Sequence, residues 1–374
     1  MQSTFDSVVV GAGIVGTACA FELARCGMQV ALVDASDPGL GATAAGMGHI
    51  VVMDDSAAQF RLTQYSRQLW NEIGSGLPES CEFRRTGTLW IATDEEEMDE
   101  AARKRSFYAT HDVDSRLLSA QELRDAEPSL REGLAGALQV PDDAVVYAPN
   151  VARVLAARAR DNGAVIMKEK VAEMGSGTVT LGSGKMLRSH RIVNAAGEWA
   201  GTLTRGLPIR KRKGNLVITD RYSGMVAHQL VELGYLKSAH AIAEDSVAFN
   251  VQPRSTGQLL IGSSRQFEAE GSAVDHEILS QMLLRAISYM PCLRDLSVLR
   301  VWSGYRAATP DKLPLIGPWQ EDNTVYLATG HEGLGIATSL GTARLLAEVL
   351  DGREPAIPLA PYLPNRMTGE VTCV

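Results

Sequence analysis

Gly11, Gly13, Gly16 and Asp34 have the types and spacing needed to hold a phosphate-bearing ligand on backbone. They sit in the run GAGIVG and at the end of the next apolar stretch. Gly11 would permit a tight turn after a strand. Gly13 would let the backbone approach a pyrophosphate, and Gly16 would let the following helix pack closely on a sheet. At that helix start, Ile14 and Val15 would turn free N–H groups and the positive end of the dipole toward the phosphates. Asp34 follows Gly16 by 18 residues, with Ala35 next, and a carboxylate there can accept hydrogen bonds from ribose hydroxyls. This pattern predicts a dinucleotide site and does not by itself separate FAD from NAD. Its bland reading is a glycine turn before an ordinary helix.

Three further segments could approach a bulky ligand. In GLGATAAGMGH, residues Gly39 to His49, small side chains crowd the chain after the acidic strand end; the contact candidates are Gly41, Ala42, Thr43, Ala45, Gly46 and Met47. In RIVNAAGEWA, a short apolar strand runs into Ala195, Ala196 and Gly197 and then Trp199. Taken singly, these read equally as a flexible loop and a β-turn. The third segment, YLATGHEGLGIATSLGTARLLAEVL, carries Gly330, His331, Glu332, Gly333, Leu334, Gly335 and Ile336 before a long helix running to Leu350. A helix N-terminus there could stabilise an anionic reduced flavin through its N–H groups and dipole.

The elements that must position these residues follow from periodicity. Val8 to Val10, a helix from Ile14 to Arg25 closed by Gly27, and a strand from Met28 to Val33 make a βαβ start. Helices are expected over Ala57 to Ile73, Asn150 to Arg160 and Asp275 to Met290. Strand patterns dominate Phe83 to Thr93 and Leu216 to Phe267, and Val325 to Ala328 reads as another strand. The charged stretch Asp94 to Arg105 and the basic run Arg210 to Lys213 read as solvated surface. With α/β signal at both ends and in the middle, the pattern predicts a discontinuous nucleotide domain interrupted by a β-rich one.

Composition bounds the function. The 374 residues suit two domains, and 45% hydrophobic with 21% charged residues is ordinary for a globular protein. A net charge of −8 argues against broad nucleic-acid binding. No apolar run reaches membrane-spanning length, and the start MQSTFDSVVV lacks a signal-peptide pattern. The five cysteines form no C-x-x-C pair, so no metal site is expected, and their scatter fits a reducing cytoplasm.

Together these segments resemble the D-amino-acid-oxidase-like superfamily of FAD-dependent oxidoreductases, which includes glycine and sarcosine oxidases. GAGIVG with Asp34, ATAAGM at Ala42 to Met47, NAAGEWA, WSGYRAATPDKLPLIG at Trp302 to Gly317 and TGHEGLGI at Thr329 to Ile336 occur in that family's order. RKGNLVITDR, LVELGYLKSAH and QPRSTGQLLIGSSRQF are closer to the FAD-carrying β subunits of hydroxyproline and opine dehydrogenases. The resemblance implies an α/β plus α+β fold: a glutathione-reductase-like Rossmann domain for FAD with an inserted mixed β-sheet substrate domain. The domains would be 1-80, 145-205 and 300-374 for FAD and 81-144 and 206-299 for substrate.

The same resemblance implies that the Val171 backbone contacts adenine and that Gly333 to Ile336 approach the isoalloxazine. It places Arg306 as a carboxylate-binding arginine, whose planar fork would hold a substrate's α-carbon near the flavin. The alternative for Arg306 is a structural pair with Asp311 or a carbonyl. Asn250 falls where glycine oxidase has a tyrosine on the same carboxylate. His331 and Glu332 would lie near the flavin edge, tuning substrate or flavin or serving only as packing. Ala307, Ala308 and Thr309 offer no thiol for covalent attachment, which implies non-covalent FAD. The expected reaction is oxidation of a C–N bond in an amino acid or secondary amine acid by hydride transfer to flavin N5. Electrons would pass to a quinone or to partner subunits carrying FMN or iron–sulfur centres; an oxygen-using oxidase is the alternative. A nicotinamide dehydrogenase would need only the first motif and its acid, and leaves TGHEGLGI unexplained. An inactive flavin-binding scaffold would have no use for Arg306.

Overall fold

In the computed structural model, residues 4–234, 245–267, 271 and 273–367 are described; the segment YLKSAH of the family-like stretch lies outside them. The apolar run that ends at Val10 forms the strand Thr4–Val10, flanked in parallel by Val30–Asp34 and Met186–Asn194. Val8, Val9, Ala31, Leu32, Ile192 and Val193 are all fully buried. Continuous apolar runs of this kind mark parallel strands covered on both faces. The parallel array extends through Asp322–Thr329 on one side and Val165–Lys168 on the other, with Leu315–Trp319 as an antiparallel edge.

Register positions the loops. Val10 pairs with both Val33 and Asn194, and Asn194 pairs with Leu327. The carboxyl ends of four neighbouring strands therefore lie level. The chain leaves them at Gly11, Asp34, Ala195 and Gly330, along one edge of one sheet. In open parallel sheets that edge is where ligands bind.

The helix Ile14–Arg25 packs against Ala148–Asp161 and Ser339–Leu350. An ion cluster ties the first and last of these. The buried Glu22 carboxylate accepts from Arg344 Nε at 2.9 Å and from Arg25 at 2.6 Å. The C-terminal helix begins later than the pattern suggested. One α-turn, closed by the Thr338 N–H donating to the Leu334 carbonyl at 2.9 Å, precedes its regular part at Ser339.

The chain divides into two compact units. One comprises Met1–Cys81, Tyr147–Lys211 and Tyr305–Val374; the other comprises Glu82–Val146 and Arg212–Gly304. Two of these boundaries fall inside the strands Arg210–Arg221 and Val298–Ala308, a few residues from the positions expected by pattern. The second unit is built on a sheet of eight strands. One face packs Leu89, Ile91, Leu230, Phe249 and Val251 with Met282, Ala286 and Tyr289 of the helix His276–Tyr289.

Both charged stretches have solvated positions, as expected for Glu95, Glu96, Asp99, Arg103, Arg105, Arg210 and Lys211, but each also buries cations. In the helix Glu95–Ala109, capped by Asp94, Lys104 is buried at 2% exposure, its ammonium over the Trp90 and Tyr108 rings. Arg212 and Lys213 are also buried, Arg212 stacked on Phe267. Long cationic side chains lay their stems on apolar surface and still satisfy the head group, so charge alone does not place them outside.

Removing Glu22 would leave Arg344 half-buried without its partner. Glu22→Ala is expected to destabilise the fold by about 3 kcal/mol, seen as a lower midpoint in thermal or urea unfolding. An unchanged midpoint would show that the cluster does not hold the two helices together.

Candidate active site

The GAGIVG turn is tighter than backbone conformation alone requires. Gly11 adopts φ +106°, and a Cβ there would lie 2.5 Å from the Ala195 carbonyl oxygen. A Cβ on Gly16 would lie 1.8 Å from the Gly11 carbonyl oxygen. The glycines are therefore needed for close packing of turn, helix and the Ala195 segment, beyond any conformational freedom. Among the described residues the N–H groups of Gly13, Val15 and Gly16 have no hydrogen-bond acceptor. They form an N-terminal cradle of the kind that receives a pyrophosphate.

Asp34 is locked in place by backbone. Its Oδ2 accepts from the Ala12 N–H at 2.6 Å and its Oδ1 from the Ser36 N–H at 2.7 Å. Each oxygen retains a lone pair for another donor. A cavity of about 100 Å³ opens beside it, lined by Ala12, Asp34, Ser36, Pro38, Ile166 and Met167. The recess lies at the strand ends. Val171 does not line it; that side chain is buried in the core of the first unit at the start of an antiparallel hairpin. Ile166 and Met167, one strand earlier, went unnoticed in the sequence because nothing in their type distinguishes them from core residues.

The second glycine-rich segment meets the first. Gly41, at φ +67° and ψ −140°, caps the short helix Ala42–Ala45. Thr43 then points its hydroxyl back to accept from the Ile14 N–H at 2.9 Å. Gly46 lies where a Cβ would come 3.0 Å from Ile336 Cδ1, and a Cβ on Gly335 would reach Val15 at 4.0 Å. Three segments far apart in sequence thus converge, with Ala45 and Met47 half-buried on the same loop. Such close approach leaves backbone, rather than side chains, to contact a ligand.

The Ala195–Trp199 turn is held by Asn194, a residue the sequence did not single out. Its side chain donates to the Ala200 carbonyl and the Thr204 hydroxyl and accepts from the Ala196 N–H. Gly197 accepts from the Thr329 hydroxyl at 3.2 Å, joining this turn to the end of the C-terminal strand. Trp199 is largely exposed, its ring beneath the Lys211 ammonium at 3.9 Å, and Lys211 also pairs with Glu198 at 3.0 Å. The basic run thus contributes one residue to the edge of this turn.

Arg306, near the end of the strand Val298–Ala308, passes beside Gly333; a Cβ on that glycine would lie 3.7 Å from Arg306 Nε. Asp311 is engaged by a different arginine, Arg366, at 2.7 Å. Glu332 holds a left-handed backbone at φ +50°, and its N–H donates to the Ala307 carbonyl at 2.8 Å. Strained turns of this sort persist where the surroundings enforce them, often at functional sites. The N–H groups of Gly333, Gly335 and Ile336 have no acceptor among the described residues. His331, by contrast, is buried, and its Nε2 lies 3.0 Å from the Thr342 hydroxyl. Burial pushes its imidazole down to about 3. The ring is therefore neutral at ordinary pH and anchors the glycine turn to the C-terminal helix. Asn250 lies in the second unit, on the strand Ser246–Pro253.

A parallel sheet with free N–H groups at a helix N-terminus, a recess beside Asp34 and a second glycine turn with three N–H groups lacking acceptors among the described residues fits a dinucleotide-dependent oxidoreductase of the flavin type. The chain matches the model of the family described as FAD dependent oxidoreductase over residues 6–349, and it belongs to that family. It is similar to glycine oxidase of Pseudomonas aeruginosa, 28% identical over 96% of this chain and 98% of that protein. It is 27% identical to hydrogen cyanide synthase subunit HcnC of the same organism, over 100% of this chain and 99% of the relative. The crystal structure of glycine oxidase from Geobacillus kaustophilus superposes with a TM-score of 0.87 at 27% identity, covering 98% of this chain and 99% of that one. The protein is thus an FAD-dependent oxidoreductase with the α/β plus mixed-sheet fold expected from its motifs.

Two outcomes follow from this geometry. Gly16→Ala forces a methyl into the Gly11 carbonyl and is expected to abolish FAD retention, read as loss of the yellow chromophore on gel filtration. Full retention would show that the turn can relax. For His331, the depressed pKa means that the unfolded chain takes up the proton first as pH falls. Stability should be complete above the ordinary 6.5 and decline toward the folded value of about 3, by at most about 1.4 kcal/mol per pH unit. His331→Gln should flatten the acid side of a Tm-against-pH curve; an identical curve would assign the acid sensitivity to other groups.

Proposed function

We propose that this protein oxidises the C–N bond of a small amino acid or secondary amine acid, with Arg306 holding the substrate carboxylate. The observation that carries this reading is Arg306 beside Gly333, on the turn where the N–H groups of Gly333, Gly335 and Ile336 have no acceptor among the described residues. A guanidinium there offers two parallel hydrogen bonds to a carboxylate and so fixes the α-carbon. Similarity to glycine oxidases, whose name gives an amino-acid substrate, supports the same class.

The residues present fit FAD. Gly13, Val15 and Gly16 would receive the pyrophosphate, with Ile14 on the same turn but its N–H taken by Thr43, Asp34 and Ala35 the ribose, and Gly41 to Met47 the middle of the molecule. Val171 is retained as a backbone contact to adenine, beside the recess formed by Ile166 and Met167. Ala195, Ala196, Gly197 and Trp199 would border the flavin from one segment. Gly330 to Ile336, with Glu332 at the strained position, would border it from another. When bound, FAD supplies the acceptor for the hydride leaving the substrate α-carbon. Orientation by Arg306 and exclusion of water are this chain's contribution, so no acid–base dyad is required if the amine arrives neutral. With no thiol at Ala307 to Thr309, the cofactor would be held non-covalently.

For electron disposal we favour a quinone or partner subunits bearing FMN or iron–sulfur centres, in a cytoplasmic hetero-oligomer. RKGNLVITDR and QPRSTGQLLIGSSRQF support this through their likeness to dehydrogenase β subunits. Among the described residues no helix is long and apolar enough to cross a membrane. Direct use of oxygen is the second reading, supported by the glycine oxidases among the relatives.

Anaerobic addition of glycine, sarcosine, hydroxyproline isomers or opines is expected to bleach the yellow protein with at least one compound. Absence of bleaching by all of them would refute the substrate class. Oxygen uptake compared with dye reduction then separates the two acceptors. Arg306→Ala is expected to lose about thirty-fold or more in kcat/KM toward carboxylate substrates, corresponding to the about 2–5 kcal/mol of a broken buried ion pair. Full activity in that variant would remove Arg306 from its role.

A further inference from the structure

Two ionic groups besides Asp34 line the recess at the strand ends, Asp37 and Lys168. Lys168 is the last residue of the strand Val165–Lys168 and pairs in parallel register with Asp34, so the two side chains rise from the same face of the sheet. Asp37 lies on the loop that leaves the strand Val30–Asp34. The Lys168 ammonium donates to Asp37 Oδ2 at 2.9 Å, joining positions 131 residues apart.

This pair does little for the fold. Its side chains are 61% and 62% exposed, and an ion pair so open to water gains little over the entropy lost in holding two flexible side chains together. Its place at the recess is what sets it apart. Pro38, Ile166 and Met167 line the same recess with half-buried apolar surface. Such surface suits the faces of a planar ring, and a few polar groups then fix the ring's orientation. An ammonium has three donors and a carboxylate about four acceptor sites, so the one bond between them leaves both able to bind further. A donor beside an acceptor is the complement of a group that shows an acceptor beside a donor. Adenine does this along one edge, where N7 accepts and the 6-amino group donates. A 6-oxo purine shows two acceptors there instead.

We propose that Asp37 and Lys168 read the base of the bound dinucleotide, Asp37 accepting from the adenine 6-amino group and Lys168 donating to N7. The pair thereby selects an adenine flavin over one that carries a 6-oxo purine, whose carbonyl would face the Asp37 carboxylate. Asp34 has no share in this selection, because backbone N–H groups fix both its oxygens. This inference rests on the placement of the FAD ribose at Asp34 and goes beyond it to two residues with no part in that placement.

The test equilibrates the holoprotein with an excess of FAD and its hypoxanthine analogue in equal amounts and counts the bound flavins by mass spectrometry. Wild type is expected to hold FAD over the analogue by about fivefold or more, since a hydrogen bond to a charged group is a strong one even where solvent weakens it. An asparagine can turn either its carbonyl or its amide N–H to the base, so Asp37→Asn is expected to bring the ratio close to one. Because the ratio compares two ligands on one protein, a loss of stability common to both leaves it unchanged. Lys168→Met removes a donor to N7, which both bases carry. It is expected to lower the flavin kept through gel filtration by a similar factor for each. A wild-type ratio near one overturns the proposal, and so does an unchanged ratio in Asp37→Asn or undiminished retention in Lys168→Met. Should it fail, Asp34→Asn shows which reading has failed. Weaker retention of both flavins in that variant leaves the ribose placement standing and sinks only the base reading; unchanged retention of both sinks the placement as well.

Discussion

The first unit depends on one close contact, the α-carbon of Gly16 against the carbonyl of Gly11. Any side chain at position 16 would push the helix Ile14–Arg25 off the sheet. That contact seats the helix N-terminus directly over the carboxyl end of the strand Thr4–Val10. Its free N–H groups then point out along the sheet edge. The same crowding brings Gly11 against Ala195, so the central strand, its helix and the Ala195 turn are mutually fixed. Everything else at the site is arranged around this edge.

Level strand ends do the remaining work. Because Val10, Val33, Asn194 and Leu327 lie in register, four loops emerge side by side although the first and last are more than three hundred residues apart in the chain. The Glu22 cluster then couples the first helix to the last, behind the loops. Thr43 and Thr329 act as short polar staples between loops, each binding a backbone group of a distant segment, while Asn194 holds its own turn together. A ligand bound here meets mainly backbone donors, and this suits a cofactor whose phosphates and ring oxygens are acceptors.

His331 and the basic run illustrate how tertiary context reassigns residues of unambiguous type. In the sequence His331 is a titratable group expected near the flavin edge. Burial and the Thr342 hydroxyl make it a neutral anchor of the turn. Lys211 looks like one of four surface cations, yet it lies over the Trp199 ring, while Arg212 and Lys213 are buried. Each outcome is decided by neighbours brought in from elsewhere in the chain.

By itself the sequence determined the strand–turn–helix, its acid, the order of the glycine segments and hence the flavin class. These features are local: a glycine needed for a turn, an apolar run, a carboxylate at a fixed offset. It could not show that Ile166 and Met167 line the recess beside Asp34 while Val171 is packed into the core, because apolar residues in adjacent strands have the same pattern. Nor could it show that Asp311 is held by Arg366, or that Lys168 meets Asp37. Those relations depend on strand register and on which face a residue takes. Register is set only when distant strands pair, and so the tertiary structure alone decided them.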